Sequence, residues 1–196
     1  MADVDLVLAS TSRYRRELLA RLGRPFRTIA ADVDETARPG ETAPALAARL
    51  AQAKALAVAT RCPDALIVGS DQVAECDGRL LGKPGTAEAA CAQLAACSGR
   101  HVTFHTALCL LDTRGAAVRT WAAIDATRVV FRDLTHGEIA RYVAIEQPLD
   151  CAGSFKAESL GITLFERIEN DDPSALIGLP LIALARLLRA AGITLP

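Results

Sequence analysis

The apolar residues change period along the chain, and those changes mark its elements. Residues 5–9 (DLVLA) are a short continuous apolar run, as in a buried strand. Ser10, Thr11 and Ser12 follow as turn and cap, and residues 13–22 have helical spacing up to Gly23. The order is strand, polar turn, helix. Residues 27–30 predict a second strand, 31–42 an acidic loop, and 43–60 an Ala/Leu-rich helix closed by Pro63. Residues 65–68 (ALIV) predict a fully buried strand ending at Gly69 and Ser70, and Asp77-Gly78 predicts a hairpin turn within 76–79. A loop through 82–85 leads to a helix over 87–97, capped by Thr86 and ended by Gly99. Residues 101–111 and 118–131 predict two long antiparallel strands. Thr135 and Glu138 have capping-box spacing for a helix to about Ile145, and Asp172-Pro173 predicts the start of a last helix closed near Gly192. Strands and helices interleave throughout, which predicts an α/β fold with a mixed sheet.

The pattern shows no repeat, linker or low-complexity tract, so one domain over residues 1–196 is expected. With 51% hydrophobic residues among 196, such a chain can fold around its own core without disulfides or a structural metal. Its 22 basic and 23 acidic side chains balance to a net charge of −1, which argues against a nucleic-acid polymer as partner. The start is acidic at Asp5 where a secretory signal needs basic residues. The longest uncharged apolar run, 175–185, contains Pro180 and is shorter than the ~18 to 20 residues of a bilayer span. A soluble, cytoplasmic protein with no membrane contact is the expectation, and its six cysteines are expected to be reduced thiols. Cys97, His101, His105 and Cys109 invite a zinc reading, but a strand at ~3.3 Å per residue spreads such ligands too far apart to converge.

Three constellations bear on chemistry. Ser10, Thr11 and Ser12 with Arg13, Arg15 and Arg16 sit where a strand feeds a helix. Free backbone N–H groups, hydroxyls and an Arg fork there favour a phosphate, although a capped helix with a basic face reads the same way. No GxxxxGK[ST] loop is present, which excludes P-loop chemistry. The acidic stretch Asp32, Asp34 and Glu35 pairs with Asp71, placed beyond a buried strand where α/β sheets bind ligands. Such carboxylates suit Mg²⁺ or Mn²⁺, which share phosphate oxygens with a substrate; each taken alone is more often a solvated acid. Lys54, Lys83 and Lys156 are the only lysines in a chain that otherwise uses Arg. A compact ammonium suits a polyphosphate, the alternative for Lys54 being the polar side of its helix. The histidines have no nucleophile beside them, no GxSxG elbow exists, and Cys151 reads as an inert thiol.

Together LASTSRYRRELL, DVDET, AKALA, GSDQV, GKP and CAGSFKAESLGITLFERIEN, in that order over nearly the whole chain, resemble the Maf family of nucleoside triphosphate pyrophosphatases. The resemblance implies an elongated α/β fold, with a mixed sheet and two lobes around a central cleft, similar to inosine triphosphatases. It implies a homodimer and a divalent cation, and hydrolysis of a nucleotide to its monophosphate and pyrophosphate. It places Ser10, Ser12 and Arg15 in the phosphate-binding turn, Lys54 and Lys83 on the substrate, Glu35 and Asp71 at the metal, and Asp71 as proton acceptor.

Within the family, the specificity positions fall on Tyr14, Gln72 and Glu158, which resemble the branch acting on 7-methyl-GTP. The dTTP/UTP branch instead has Arg, Thr and Gln there. An aromatic ring at Tyr14 suits a cationic methylated purine, and Glu158 suits base N–H groups. The sequence departs from the family pattern at Arg13, where proline is usual, and at Tyr14, where this branch more often has Trp. The alternatives are dTTP/UTP hydrolysis and a non-catalytic, nucleotide-sensing regulator of septum formation.

Overall fold

In the computed structural model, which describes residues 4–196, the first apolar run is β1 (Asp5–Leu8) and the next element is α1 (Arg13–Ala20). Ser12 caps α1, its Oγ accepting from Arg15 N at 3.4 Å. α1 is shorter than its apolar spacing predicts, because the chain turns off through residues 21–22 to Gly23 at φ +64°. The short β2 (Arg27–Thr28) and the long α2 (Ala43–Ala59) follow, with the expected acidic loop between them.

β3 spans Ala65–Cys76, so the strand does not end at Gly69 as its apolar run predicts. It changes partner midway instead. Residues 65–68 pair in parallel with β1, and residues 74–76 pair antiparallel with β4 (Arg79–Leu81) across the Asp77-Gly78 turn. The polar Ser70-Asp71-Gln72 therefore continues an extended backbone. Gly69 allows this: a Cβ there would lie 2.1 Å from the Ala51 carbonyl oxygen of α2.

The remaining elements are α3 (Ala87–Cys97), β5 (His101–Asp112), β6 (Arg119–Phe131), α4 (His136–Glu146), β7 (Phe165–Glu169) and α5 (Leu181–Ala190). α4 carries the expected capping box between Thr135 and Glu138. The sheet runs β2-β1-β3-β5-β6-β7 with β4 on β3, and it mixes parallel β1/β2 and β1/β3 with antiparallel β3/β4 and β6/β7. The fold is mixed α/β. β7 and the 3-10 turns at 152–154 and 160–164 are too short and aperiodic for the sequence to assign them. α5 begins at Leu181 and not at Asp172, because Gly178, at φ +122°, and Pro180 interrupt the run first.

The chain divides into two compact units. The first holds residues through Gln72, Thr106–Asp125 and Asp172–Pro196. Its core joins Leu6, Leu8, Leu66, Val68, Leu108 and Leu110 of the strands to Leu18 and Leu19 of α1 and Leu184 and Leu188 of α5. The second holds Val73–His105 and Ala126–Asp171. There Phe104, Phe131, Phe155 and Phe165 pack edge to face, with centroids 4.8 to 5.6 Å apart. None of the six cysteines is in a disulfide.

In the first unit, buried Asp112 pairs with Arg114 at 2.8 Å and Arg119 at 2.6 Å, and Arg114 also donates to the Ala191 carbonyl at 2.8 Å. The hydrogen bond from Arg114 holds the Asp112 carboxyl well below its ordinary value near 3.8. Its contribution to stability is complete above that ordinary value and is lost as pH falls from there through the native one. Asp112→Asn is expected to cost about 3 kcal/mol at neutral pH and to flatten the acid limb of the stability curve. Urea titrations at neutral pH and near pH 3 measure both, and an acid limb as steep as that of the unsubstituted protein would contradict the assignment.

Candidate functional site

The first unit gathers most of the chemistry-bearing residues around β3. Leu8 of β1 stands opposite Val68, and Ala9 N donates to the Val68 carbonyl at 2.9 Å. The Ser10–Ser12 turn thus leaves the sheet level with Ser70–Gln72. Ser10 is buried, and its Oγ accepts from Ser12 N at 3.1 Å. Side chains alternate along a strand, so Ser70 and Gln72 share one face of β3 while Asp71 projects from the other.

Asp71 meets α2. The buried residues of α2, including Leu46, Ala47, Leu50, Ala51, Lys54, Ala55 and Val58, form the stripe that packs on the sheet. Lys54 lies on that stripe, only 7% exposed, and not on the polar side of its helix. Its Nζ donates to Asp71 Oδ1 at 2.5 Å and pairs with Glu35 Oε1 at 2.6 Å. Two carboxylates from separate elements therefore converge on one ammonium. Asp71 is 7% exposed, whereas the Glu35 side chain, from the acidic loop, is 57% exposed. A buried carboxylate opposite a buried ammonium is the arrangement that makes such charges tolerable away from water.

Arg15 stands beside this pair. Burial pushes its guanidinium pKa down, and the charges of Asp71 and Glu35 oppose that shift. Its Nε donates to the Gly178 carbonyl at 2.9 Å, a carbonyl that also accepts from Ser70 Oγ at 3.1 Å. Gln72 Nε2 lies 2.9 Å from Thr106 Oγ1 and 3.0 Å from the carbonyls of Ala175 and Leu176. Tyr14 is half-buried on α1.

Ser10, Ser12, Arg15, Glu35, Lys54, Asp71 and Gln72 are thus tied to neighbouring elements of one unit. Lys83 and Glu158 belong to the second unit, where both are exposed, Lys83 in the loop after β4 and Glu158 in the stretch before the 160–164 turn. Burial and the nearby Asp150 push the Cys151 thiol up to about 12, which keeps it protonated at neutral pH and unsuited to nucleophilic attack. Asp172, Ser174 and Gly178 also shape the site, and sequence reasoning misses them in that role. The only available cue was the Gly178 and Pro180 punctuation within an apolar run.

Glu35 and Asp71 are hard oxygen donors that fit a Mg²⁺- or Mn²⁺-like cation, which takes one or two carboxylates and completes its shell with water and phosphate. Among the described residues, no group of three or more His, Cys, Asp or Glu forms a set able to hold a metal by itself. The donor set fits a cation shared with a phosphate ligand. Chemically, the arrangement offers a carboxylate near water, an ammonium, and a guanidinium whose Nε is already committed to the protein.

The sequence profile of the Maf-like protein family matches residues 5–191. The 7-methyl-GTP pyrophosphatase of Xanthomonas campestris pv. campestris (strain 8004) is 59% identical over 191 residues, covering 97% of this chain and 98% of that protein. The 7-methyl-GTP pyrophosphatase of Aromatoleum aromaticum is 56% identical over 191 residues, covering 97% of each. Among solved structures, the Staphylococcus aureus Ham1 protein aligns with a TM-score of 0.53 at 15% identity, covering 95% of this chain and 99% of that one, a likeness of fold alone.

Proposed function

The chain belongs to the Maf family, and on that premise we propose that it hydrolyses a nucleoside triphosphate, 7-methyl-GTP, to the monophosphate and pyrophosphate. The observation that carries this reading is the convergence of Glu35 and Asp71 on buried Lys54, with Arg15 beside them. The names of relatives above half identity supply the substrate. Glu35 and Asp71 would hold a divalent cation, Mg²⁺ or Mn²⁺, which supplies positive charge against the phosphate oxygens when bound.

Asp71 accepts a hydrogen bond from a water, orients it toward the α-phosphorus and takes its proton as the phosphorus–oxygen bond forms. The bond to the bridging oxygen breaks, and pyrophosphate leaves with that oxygen. Lys54 holds the Asp71 carboxylate in place by its 2.5 Å contact and adds charge next to the phosphates. Arg15, with its Nε committed to the Gly178 carbonyl, turns its Nη groups to the polyphosphate. Ser10, Ser12 and the N–H groups at the start of α1 supply further donors. Lys83, an exposed lysine on a loop, is assigned to the leaving pyrophosphate on the strength of the family pattern. The same pattern supports a homodimer, and the acidic start of the chain supports a cytoplasmic setting.

Tyr14, Gln72 and Glu158 are assigned to base selection. Stacking of the Tyr14 ring on a cationic N7-methylated purine contributes about 0.5 to 2 kcal/mol. A pyrophosphate-release assay over 7-methyl-GTP, GTP, dTTP and UTP with Mg²⁺ or Mn²⁺ tests the whole reading. The highest kcat/KM is expected for 7-methyl-GTP, and Tyr14→Ala is expected to reduce its margin over GTP by about 3- to 30-fold with dTTP and UTP little changed. A panel led by dTTP or UTP would transfer the protein to the pyrimidine branch. Silence on every nucleotide would leave a nucleotide-sensing role.

A further inference from the structure

Residues 172–182 form a closed ring. Asp172 Oδ1 accepts from Ser174 N at 3.0 Å and from Ser174 Oγ at 2.6 Å, while Asp172 Oδ2 accepts from Ile182 N at 2.7 Å. Ser174 Oγ in turn accepts from Leu181 N at 2.8 Å. The first turn of α5, whose N-cap Pro180 has no side-chain hydrogen bond to offer, is thus capped from a distance by the two buried residues Asp172 and Ser174.

The ring's other side carries the carbonyls of Ala175, Leu176 and Gly178, and each accepts from a residue of the site. Gln72 and Thr106 donate to Ala175 O, Gln72 also to Leu176 O, and Ser70 and Arg15 to Gly178 O. Both sequence neighbours of Asp71 are therefore held from the face opposite its carboxylate. Gly178 presents its carbonyl from a backbone at φ +122°, and a Cβ there would also sit 3.7 Å from Arg15 Nε. Beyond Nε, held by the Gly178 carbonyl, the Arg15 guanidinium has two further donor nitrogens.

We propose that Asp172 is a positioning residue: by closing this ring it fixes the Gly178 carbonyl, and that carbonyl aims the Arg15 guanidinium at the polyphosphate. Asp172 touches no substrate. Its effect passes through Arg15, with Ser174 as the second tie of the same ring. A planar guanidinium held at Nε loses little further freedom on gripping an anion, so the ring contributes affinity by pre-organisation. This inference rests on the triphosphate reading of the site proposed above.

The test is a double-mutant cycle in the intact chain on Asp172→Ala and Arg15→Ala. It reads the Kd for inorganic tripolyphosphate by calorimetry and kcat/KM for 7-methyl-GTP, with thermal melts alongside. Asp172→Ala is expected to weaken tripolyphosphate about tenfold in the otherwise unsubstituted protein and less than about twofold when Arg15 is already Ala. Solvent exchange of the Arg15 Nε–H, followed by NMR without ligand, should be slow in the unsubstituted protein and fast in Asp172→Ala. Ser174→Ala, which keeps the Asp172 carboxylate, should give the same pattern at smaller amplitude and serves if Asp172→Ala does not fold.

Equal losses in both Arg15 backgrounds, or an unchanged Arg15 Nε–H exchange rate, would overturn the proposal. An unsubstituted protein that releases no pyrophosphate from any nucleotide overturns the functional reading instead. The Nε–H exchange then still decides whether Asp172 holds the guanidinium.

Discussion

Asp71→Asn is expected to lower kcat for 7-methyl-GTP by about 10²- to 10⁴-fold, the span associated with losing a positioned proton acceptor. The substitution keeps the volume of a side chain only 7% exposed and keeps an oxygen for Lys54 Nζ, so packing beside α2 is preserved. It removes the negative charge and the basic lone pair. The amide cannot take a proton from water at neutral pH, so the bond-forming step loses its acceptor while the donors that grip the phosphates stay in place. With the divalent cation raised to saturation for each variant, KM should therefore move by no more than about threefold, the signature of an interaction made mainly in the transition state. Single-turnover kinetics with 7-methyl-GTP separates the chemical step from product release, and Tm reports on folding. An Asn variant with near-normal kcat would remove Asp71 from the reaction and leave it as the structural partner of Lys54.

The largest effect on stability is expected at Gly69. A methyl group there would meet the Ala51 carbonyl oxygen at 2.1 Å and the Ala55 amide nitrogen at 2.8 Å, both backbone atoms of α2. No rotamer change can relieve such contacts, so either α2 lifts from the sheet or β3 bends away from it. Gly69→Ala should cost about 3 kcal/mol or more, near the upper end of overpacking penalties. For a chain of this length that lowers Tm by about 6 to 12 °C. The displacement would also act on the site, since Ala51 and Ala55 flank Lys54 on α2 and Gly69 lies two residues before Asp71. Activity lost together with Tm is the expected result. Differential scanning calorimetry checks the first quantity, and a Tm within about 2 °C of the unsubstituted protein would mean that the close approach is not a constraint.

Local patterns in the sequence specify most of the elements. The capping box of Thr135 and Glu138, the Asp77-Gly78 turn and the apolar runs of β1 and the first half of β3 are written in a few adjacent residues. The capping box and the turn form as read because their hydrogen bonds close within those residues, and the two apolar runs because burial alone fixes a short strand, although they pair with each other across about 60 positions. The constellations that contain Ser10, Ser12, Arg15, Glu35, Lys54 and Asp71 are legible as turn hydroxyls, loop acids and rare lysines, and the resemblance to the Maf family selects these residues within them.

How these residues act on one another is set by packing between segments far apart in the chain. That β3 runs on through Ser70–Gln72 depends on an exchange of partners from β1 to β4 and on an α2 close enough to demand a glycine. That Lys54 is buried between two carboxylates depends on which stripe of α2 faces the sheet. Asp172-Pro173 predicts a helix start where the structure has the ring from Asp172 to Ile182, because that ring's hydrogen bonds to Arg15, Ser70, Gln72 and Thr106 join residues far apart in the chain. Sequence by itself fixed the periodic elements and the chemical types at the site, since propensity, capping and turn formation are short-range effects. Distance and burial set the charge environment of Asp71 and the aim of Arg15, and these arise only when separate segments pack.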